Sequence, residues 1–433
     1  MFPQTSRPAS PAPISETTDE SRLFDGVDLP RLAERMGTPL HAYSASAIRQ
    51  RIDELHAALH GLDALICYAV KANSNLAILQ LMANAGVGAD IVSVGELRRA
   101  LHAGIPAERI VFSGVGKNAD EIAGALNVGI QRFNVESHDE LLTLQRVARA
   151  QDVVARAAVR INPDVDAQTH AKISTGKSEN KFGVSIDEAR RWFAERKSLS
   201  HVQLDGLHVH IGSQILSVEP FRLALQRVAA FWRELEQAGH PIRSIDVGGG
   251  LGVCYRAGVD QPVAAADYVA VIRAALAGYH GRLLLEPGRY LVAEAGVLLT
   301  RVIRVKPGEQ RQFLVLDAAM NDLQRPSLYD AWHDIVPVID EGRPVTTYDI
   351  VGPVCETGDT FARGRELPRC DAGDLLLIRA TGAYGASMAS TYNSRPLAAE
   401  VMLQNGRYAI VRRRQHFEEM IAGEQPARQW ETA

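Results

Sequence analysis

From about Gly37 the chain alternates short β-branched or apolar runs with longer stretches whose apolar positions recur every three or four residues. Runs at 65–71, 89–93, 109–114, 131–137, 155–162, 205–212, 243–250 and 282–289 predict strands, and 94–104, 138–150 and 219–239 predict amphipathic helices between them. This α/β alternation, with eight strands, meets the requirement of a closed (β/α)8 barrel. A doubly wound open sheet gives the same alternation. The strand ends favour the barrel. They carry Lys71, Ser93, Ser113, Glu136, Asn162, His210, Gly248 and Glu286, and barrel enzymes keep their chemistry at the C-terminal ends of their strands.

After Arg289 the texture changes. Short strand-like runs at 297–306, 312–320, 345–353, 374–381, 400–404 and 408–414 follow with few long helices, which predicts an all-β C-terminal domain of barrel or sandwich type. The expected organisation is a flexible arm over 1–36 that can add to the β domain, a barrel over 37–290, a β domain over 291–425 and a tail over 426–433.

Composition narrows the function. At 433 residues the chain is too long for one ordinary core. A net charge of -4 offers no basic surface to nucleic acid or an acidic membrane. The Pro-, Ser- and Thr-containing start is unlike a secretory signal, and no apolar run is long enough to cross a bilayer. Cys67, Cys254, Cys355 and Cys370 are scattered, with no metal-ligand spacing. A reducing cytoplasm and no metal are expected.

Several motifs carry candidate chemistry, each with a plainer reading beside it. Lys71 in 68-YAVKAN-73 closes an apolar strand, where an amine is costly to bury unless it is paired or bonded to an aldehyde; it could equally snorkel out of the barrel mouth. The run 248-GGGLG-252 follows a strand and suits an anion nest or a tight turn. It lacks dinucleotide-binding spacing. In 286-EPGR-289, Glu286 could hold a proton on a ring nitrogen and Arg289 could take a carboxylate, or the two could form a surface ion pair. His210 in 208-HVHIGSQ-214 could be a hydrogen-bonded core residue. Cys355 in 352-GPVCETGD-359 could be a small buried thiol. Arg325, Tyr329 and 382-GAYG-385 add polar turns that a purely structural β module has no need of.

Taken together, YAVKAN, FSGVGK (112–117), FNVES (133–137), the block 161–183, HIGSQI (210–215), GGGLG, EPGR, MNDLQRPSLYDAWH (320–333), GPVCETGD and GAYG give a sequence that resembles the pyridoxal-phosphate (PLP) decarboxylases built on an alanine-racemase-like barrel, fold type III. Within that family the diaminopimelate branch is most similar, and the resemblance runs from about residue 37 through the β module. Val94 stands where the family carries a second glycine.

The resemblance implies roles residue by residue. Lys71 forms the Schiff base with PLP and His210 stacks on its ring. Ser213, Gly249, Gly250 and Gly288, with Tyr384, hold the phosphate. Glu286 binds the ring nitrogen. Arg289, Arg325, Tyr329 and Tyr384 grip the amino-acid substrate. The family forms homodimers with shared active sites, so Cys355, as proton donor, and Glu356, binding a distal ammonium, come from a second copy. Paired arginines with one glutamate match a substrate ending in both a carboxylate and an ammonium. The implied reaction is decarboxylation of meso-2,6-diaminopimelate to L-lysine; a related decarboxylase, a racemase and a non-catalytic PLP-binding regulator are the rivals.

Overall fold

The computed structural model describes residues 22–166, 181–309, 311–427 and 430. The chain divides into two compact units: Ala45–Ala295 with Gly382–Ser387, and the described part of Asp19–Ser44 with Gly296–Thr381 and Met388–Ala433. The sequence boundary near residue 37 thus falls at Ala45. Leu40–Ser44 is a strand of the β unit, paired with Gly296–Pro307 and Ala399–Gln404. Most of the 161–183 block lies outside the described residues.

The first unit is a closed barrel of eight parallel strands: Ala64–Ala69, Gly88–Ile91, Ile110–Phe112, Arg132–Val135, Ala155–Arg160, Val202–His208, Ser244–Asp246 and Arg282–Leu285. Every strand expected from the sequence is present, and pairing of Leu283 with Ala64 and Leu285 with Ile66 shuts the ring. The open-sheet alternative is excluded.

Small polar residues switch the chain from strand to helix. Ser93, Ser137 and Ser185 each accept the backbone N–H three residues on, and Asn118 forms a full capping box with Glu121. Such caps satisfy helix N–H groups that have no partner inside the helix. Ser93 is therefore a cap. Val94 opens its helix with an ordinary negative φ, so nothing there requires a glycine.

Side chains in a strand alternate between faces, and that period stacks polar layers up the barrel interior. Arg132, Asn134 and Glu136 rise along one strand, and Ser244, Asp246 and Gly248 along another. Gly206, His208 and His210 rise along a third. Cys67, Val111 and Leu284 form a small apolar cluster.

The second unit has the sheet order Thr360–Pro368, Val345–Val351, Gln312–Leu316, Gly296–Pro307, Leu40–Ser44, Ala399–Gln404, Arg407–Arg412. The strand Gly296–Pro307 is its spine, pairing with Leu375–Ile378 as well. Leu298, Leu314, Tyr348 and Ile350 are fully buried in one core cluster, and Leu29, Leu40, Leu299 and Val401 in another. Thr360–Pro368 was not expected as a strand, because Arg363, Arg365 and Glu366 hide its pattern; its buried Phe361 and Leu367 face the core.

Candidate active site

Lys71 and Glu286 emerge at the same end of the barrel, since the Ala69 N–H donates to the Pro287 carbonyl at 3.1 Å. Lys71 lies in a 3-10 turn that ends its strand. Its Nζ is 2.9 Å from Asp90 Oδ2, with the lysine side chain 42% exposed and the aspartate fully buried. Burial opposes the ammonium, but the charges of Asp90, Tyr384 and Glu286 outweigh it, and the Lys71 pKa rises. The other Asp90 oxygen has no hydrogen-bond partner. Lys71 is thus held as an ammonium by a buried acid, at the position where an aldehyde would be tethered.

Glu286 is buried. Its Oε1 accepts from Ser113 Oγ at 3.2 Å and Asn134 Nδ2 at 3.0 Å, and its Oε2 lies 3.1 Å from His208 Nε2. Burial, followed by the charge of Asp90, pushes its pKa up to about 8. Such a carboxyl carries a proton near neutrality and suits a ring nitrogen.

His210 Nδ1 accepts the Gly249 N–H at 3.2 Å, and burial, with Arg160 and Lys71 nearby, drives its pKa well below the usual imidazole range. It is a neutral flat ring fixed at the mouth. In the glycine run, Gly248 and Gly250 have φ of 69° and 111°, in the region that disfavours side chains. A Cβ on Gly249 would meet the Glu286 carbonyl oxygen at 2.2 Å.

Arg289 is buried, donates to Ser213 Oγ from Nε at 3.3 Å and Nη2 at 3.0 Å, and bonds the Tyr255 hydroxyl. It also lies 4.9 Å from the ring centroid of Tyr384. The Tyr384 N–H donates to the Ala72 carbonyl at 2.8 Å, so the 382–387 turn sits beside Lys71. Gly288 fits closely, a Cβ there lying 3.0 Å from that of Ala69.

An aldehyde-bearing, phosphorylated pyridine requires an amine, an acid for its nitrogen, a flat face and phosphate donors. Lys71, Glu286, His210 and the Ser213–Arg289–glycine group supply them, all in the first unit. The residues present fit the cofactor.

The other predicted residues belong to the second unit. Arg325 opens the helix Arg325–Tyr329 and is buried, with Nη1 2.7 Å from His333 Nε2. His333 Nδ1 lies 2.8 Å from the Arg379 carbonyl oxygen, so Nδ1 donates and Nε2 accepts from Arg325. Tyr329 ends the same helix. The buried Asp359 carboxylate accepts from the backbone N–H groups of Val354 and Met320, each at 2.7 Å. That clamp leaves Cys355 exposed, its N–H donating to Asn393 Oδ1 at 3.1 Å. Glu356 is hydrogen-bonded by Tyr392.

Residues 45–293 match the family described as "Pyridoxal-dependent decarboxylase, pyridoxal binding domain". The chain belongs to the pyridoxal-dependent decarboxylases. It is 50% identical over 406 residues to the diaminopimelate decarboxylase of Pseudomonas aeruginosa, covering 94% of this chain and 97% of that one. It is 48% identical over 404 residues to the Zymomonas mobilis enzyme of the same name, covering 93% and 96%. The crystal structure of diaminopimelate decarboxylase from Helicobacter pylori complexed with L-lysine is 44% identical, with a TM-score of 0.88 over 92% of this chain and 99% of that one. As in the rest of the family, the cofactor is pyridoxal 5'-phosphate.

Asp90, Asn134, His208 and Asp246 were missed by the sequence reading, which looked only at strand ends. Three of them stand two positions before a singled-out residue, and a polar side chain inside an apolar barrel strand was the available signal.

The buried groups also set the stability of the cofactor-free protein. Glu286 and Asp246 have pKa values raised to about 8 and about 7, chiefly by burial. A raised carboxyl stabilises the fold below its unfolded pKa, and that stability is lost as pH rises through the folded value. His208 is lowered to about 4 by burial and acts in the opposite sense, but only below about pH 6.5. Between about pH 6.5 and 8 the apoprotein is therefore expected to lose on the order of 2 kcal/mol. Urea denaturation across that range measures it, and Glu286→Gln should flatten the trend.

Proposed function

We infer that this chain removes the carboxylate at the D-configured carbon of meso-2,6-diaminopimelate, giving L-lysine and carbon dioxide. The observation that carries the reading is near-full-length similarity, at 48–50% identity, to enzymes named for this substrate. Retention of Lys71, Glu286, Cys355 and Tyr384 supports catalysis over a cofactor-binding regulator.

When bound, pyridoxal phosphate supplies a conjugated ring that takes up the electrons of the breaking C–C bond. Lys71 is the amine that tethers its aldehyde. Glu286 holds a proton at the ring nitrogen and His210 presents a ring face. Ser213, Gly249, Gly250, Gly288 and Tyr384 hold the phosphate, with Arg289 bracing Ser213. Arg289, Arg325, Tyr329 and Tyr384 orient the substrate, the arginines facing its distal carboxylate and Glu356 its distal ammonium. Fixing the far end sets the angle at which the scissile bond stands. Cys355 returns a proton to the α-carbon.

The protein acts as a homodimer in the cytoplasm, with Cys355 and Glu356 completing the site of a second copy. Four cysteines without a disulfide support the reducing compartment. No described helix is long and apolar enough to cross a membrane. Mixing inactive Lys71→Ala and Cys355→Ala proteins should restore about a quarter of parental activity, because half of randomly exchanged dimers hold one intact site of two. No recovery after confirmed subunit exchange would refute shared sites.

The direct assay incubates the protein with pyridoxal phosphate and meso-diaminopimelate, then quantifies amino acids and carbon dioxide. Lysine and carbon dioxide in equal amounts are expected. Faster turnover of D-lysine or carboxynorspermidine would reassign the substrate, and stereoinversion without gas release would mark a racemase.

A further inference from the structure

Arg289 is aimed by a tyrosine to which the mechanism gives no task. Its Nε and Nη2 donate to Ser213 Oγ, while Nη1 donates to the Tyr255 hydroxyl. Tyr255 is buried, and the Arg289 Cζ lies 5.5 Å from its ring centroid and 4.9 Å from that of Tyr384. The serine and tyrosine oxygens are neutral acceptors, so they orient the guanidinium without cancelling its charge. A guanidinium gripped along one edge can still tilt; a second grip at Nη1 fixes its plane, and a planar fork meets a carboxylate well only when its plane is right.

The segment that carries Tyr255 is zipped to the one that carries Ser213. The Ile215 N–H donates to the Gly250 carbonyl at 2.9 Å, and the Gly252 N–H to the Ile215 carbonyl at 3.0 Å. The Gln214 amide grips Val253 at both ends: Oε1 accepts the N–H at 3.2 Å and Nε2 donates to the carbonyl at 2.7 Å. Gln214 holds that grip with φ at 62°, a conformation that disfavours side chains. At the tyrosine itself, Asp260 Oδ2 accepts the N–H groups of Tyr255 at 2.9 Å and Arg256 at 2.8 Å. Both hydroxyls that hold Arg289 thus ride on backbone tied together. Core filling alone does not account for the tyrosine: phenylalanine would fill the same space, and only the hydroxyl reaches Nη1.

We propose that Tyr255 is a positioning residue for substrate selection: by taking Nη1 it fixes the plane in which Arg289 meets the distal carboxylate of the substrate. The inference rests on the assignment of Arg289 to that carboxylate.

The test titrates the holoenzyme, by the absorbance of its cofactor, with L-lysine, which retains the distal carboxylate, and with cadaverine, the same diamine without it. The parent should bind lysine more tightly. A parent without that preference removes the Arg289 assignment and this inference together. Given the preference, Tyr255→Phe should weaken lysine binding about tenfold, the scale on which one hydrogen bond to a charged group counts, and leave cadaverine binding unchanged. The KM for diaminopimelate should rise by a similar factor with kcat little altered. Pyridoxal phosphate affinity of the apoprotein, read by intrinsic fluorescence, should not move. Equal weakening of both amines, weakening of neither, or a loss of cofactor affinity overturns the proposal while sparing the Arg289 assignment. In an Arg289→Met background Tyr255→Phe should weaken lysine no further; a further loss would put the hydroxyl on the ligand itself and overturn the positioning role. Should Tyr255→Phe not fold, Asp260→Ala decides, because it releases the Tyr255 and Arg256 N–H groups. The same selective loss of lysine binding is expected; an undiminished preference for lysine overturns the proposal.

Discussion

Lys71→Ala should lower carbon dioxide release from meso-diaminopimelate by at least about 10³-fold, because the variant lacks the nucleophile that binds the cofactor covalently. Other groups still hold pyridoxal phosphate, so binding should persist while the absorbance of the Lys71-bound form is lost. A second effect follows from Asp90. Its carboxylate is fully buried, and Lys71 Nζ at 2.9 Å is its ion-pair partner. Truncation leaves that charge unmatched, which costs several kcal/mol unless the acid takes up a proton. Lys71→Met restores apolar bulk but not the ammonium, so both variants should unfold at lower urea near pH 8 than near pH 5. A Lys71→Ala protein that decarboxylates at the parental rate would refute the central assignment.

Arg325→Met should raise the KM for diaminopimelate about 100-fold, with a much smaller change in kcat. Losing one charge-assisted contact to a carboxylate costs about 2–3 kcal/mol. The Arg325 guanidinium is already aimed, because His333 accepts from Nη1 and is itself fixed by the Arg379 carbonyl. Arg325→Lys should rescue poorly, since an ammonium cannot serve both His333 and a carboxylate with the planar fork of arginine. Steady-state kinetics with diaminopimelate measure both. An unchanged KM in Arg325→Met would remove Arg325 from the substrate grip.

The barrel was legible because its signal is local: apolar runs of strand length, separated by amphipathic helices, with polar residues at the ends. The β unit was legible as a class but not in its membership. Leu40–Ser44 joins it through pairing with strands far along the chain, and no local pattern encodes such a partner. Thr360–Pro368 escaped because half of its pattern is solvent-facing charge. At the site, Lys71, His210 and Glu286 stood out as unusual residues at strand ends. Asp90, His208 and Asp246 did not, since their importance depends on which strands become neighbours when the barrel closes. His208 and Glu286 lie 78 residues apart and make contact only in the folded chain.

Gly382–Ser387 packs with the barrel although the residues on both sides of it belong to the β unit. It supplies the Tyr384 N–H and Ser387 hydroxyl that meet the Ala72 carbonyl, and the Gly382 carbonyl that accepts from Asn73. A fragment trimmed after Ala295 would strip hydrogen bonds from Ala72 and Asn73, the two residues that follow Lys71. Any attempt to engineer a stand-alone cofactor-binding piece must graft that hexapeptide back, because a single cut cannot separate the two halves of the gene product.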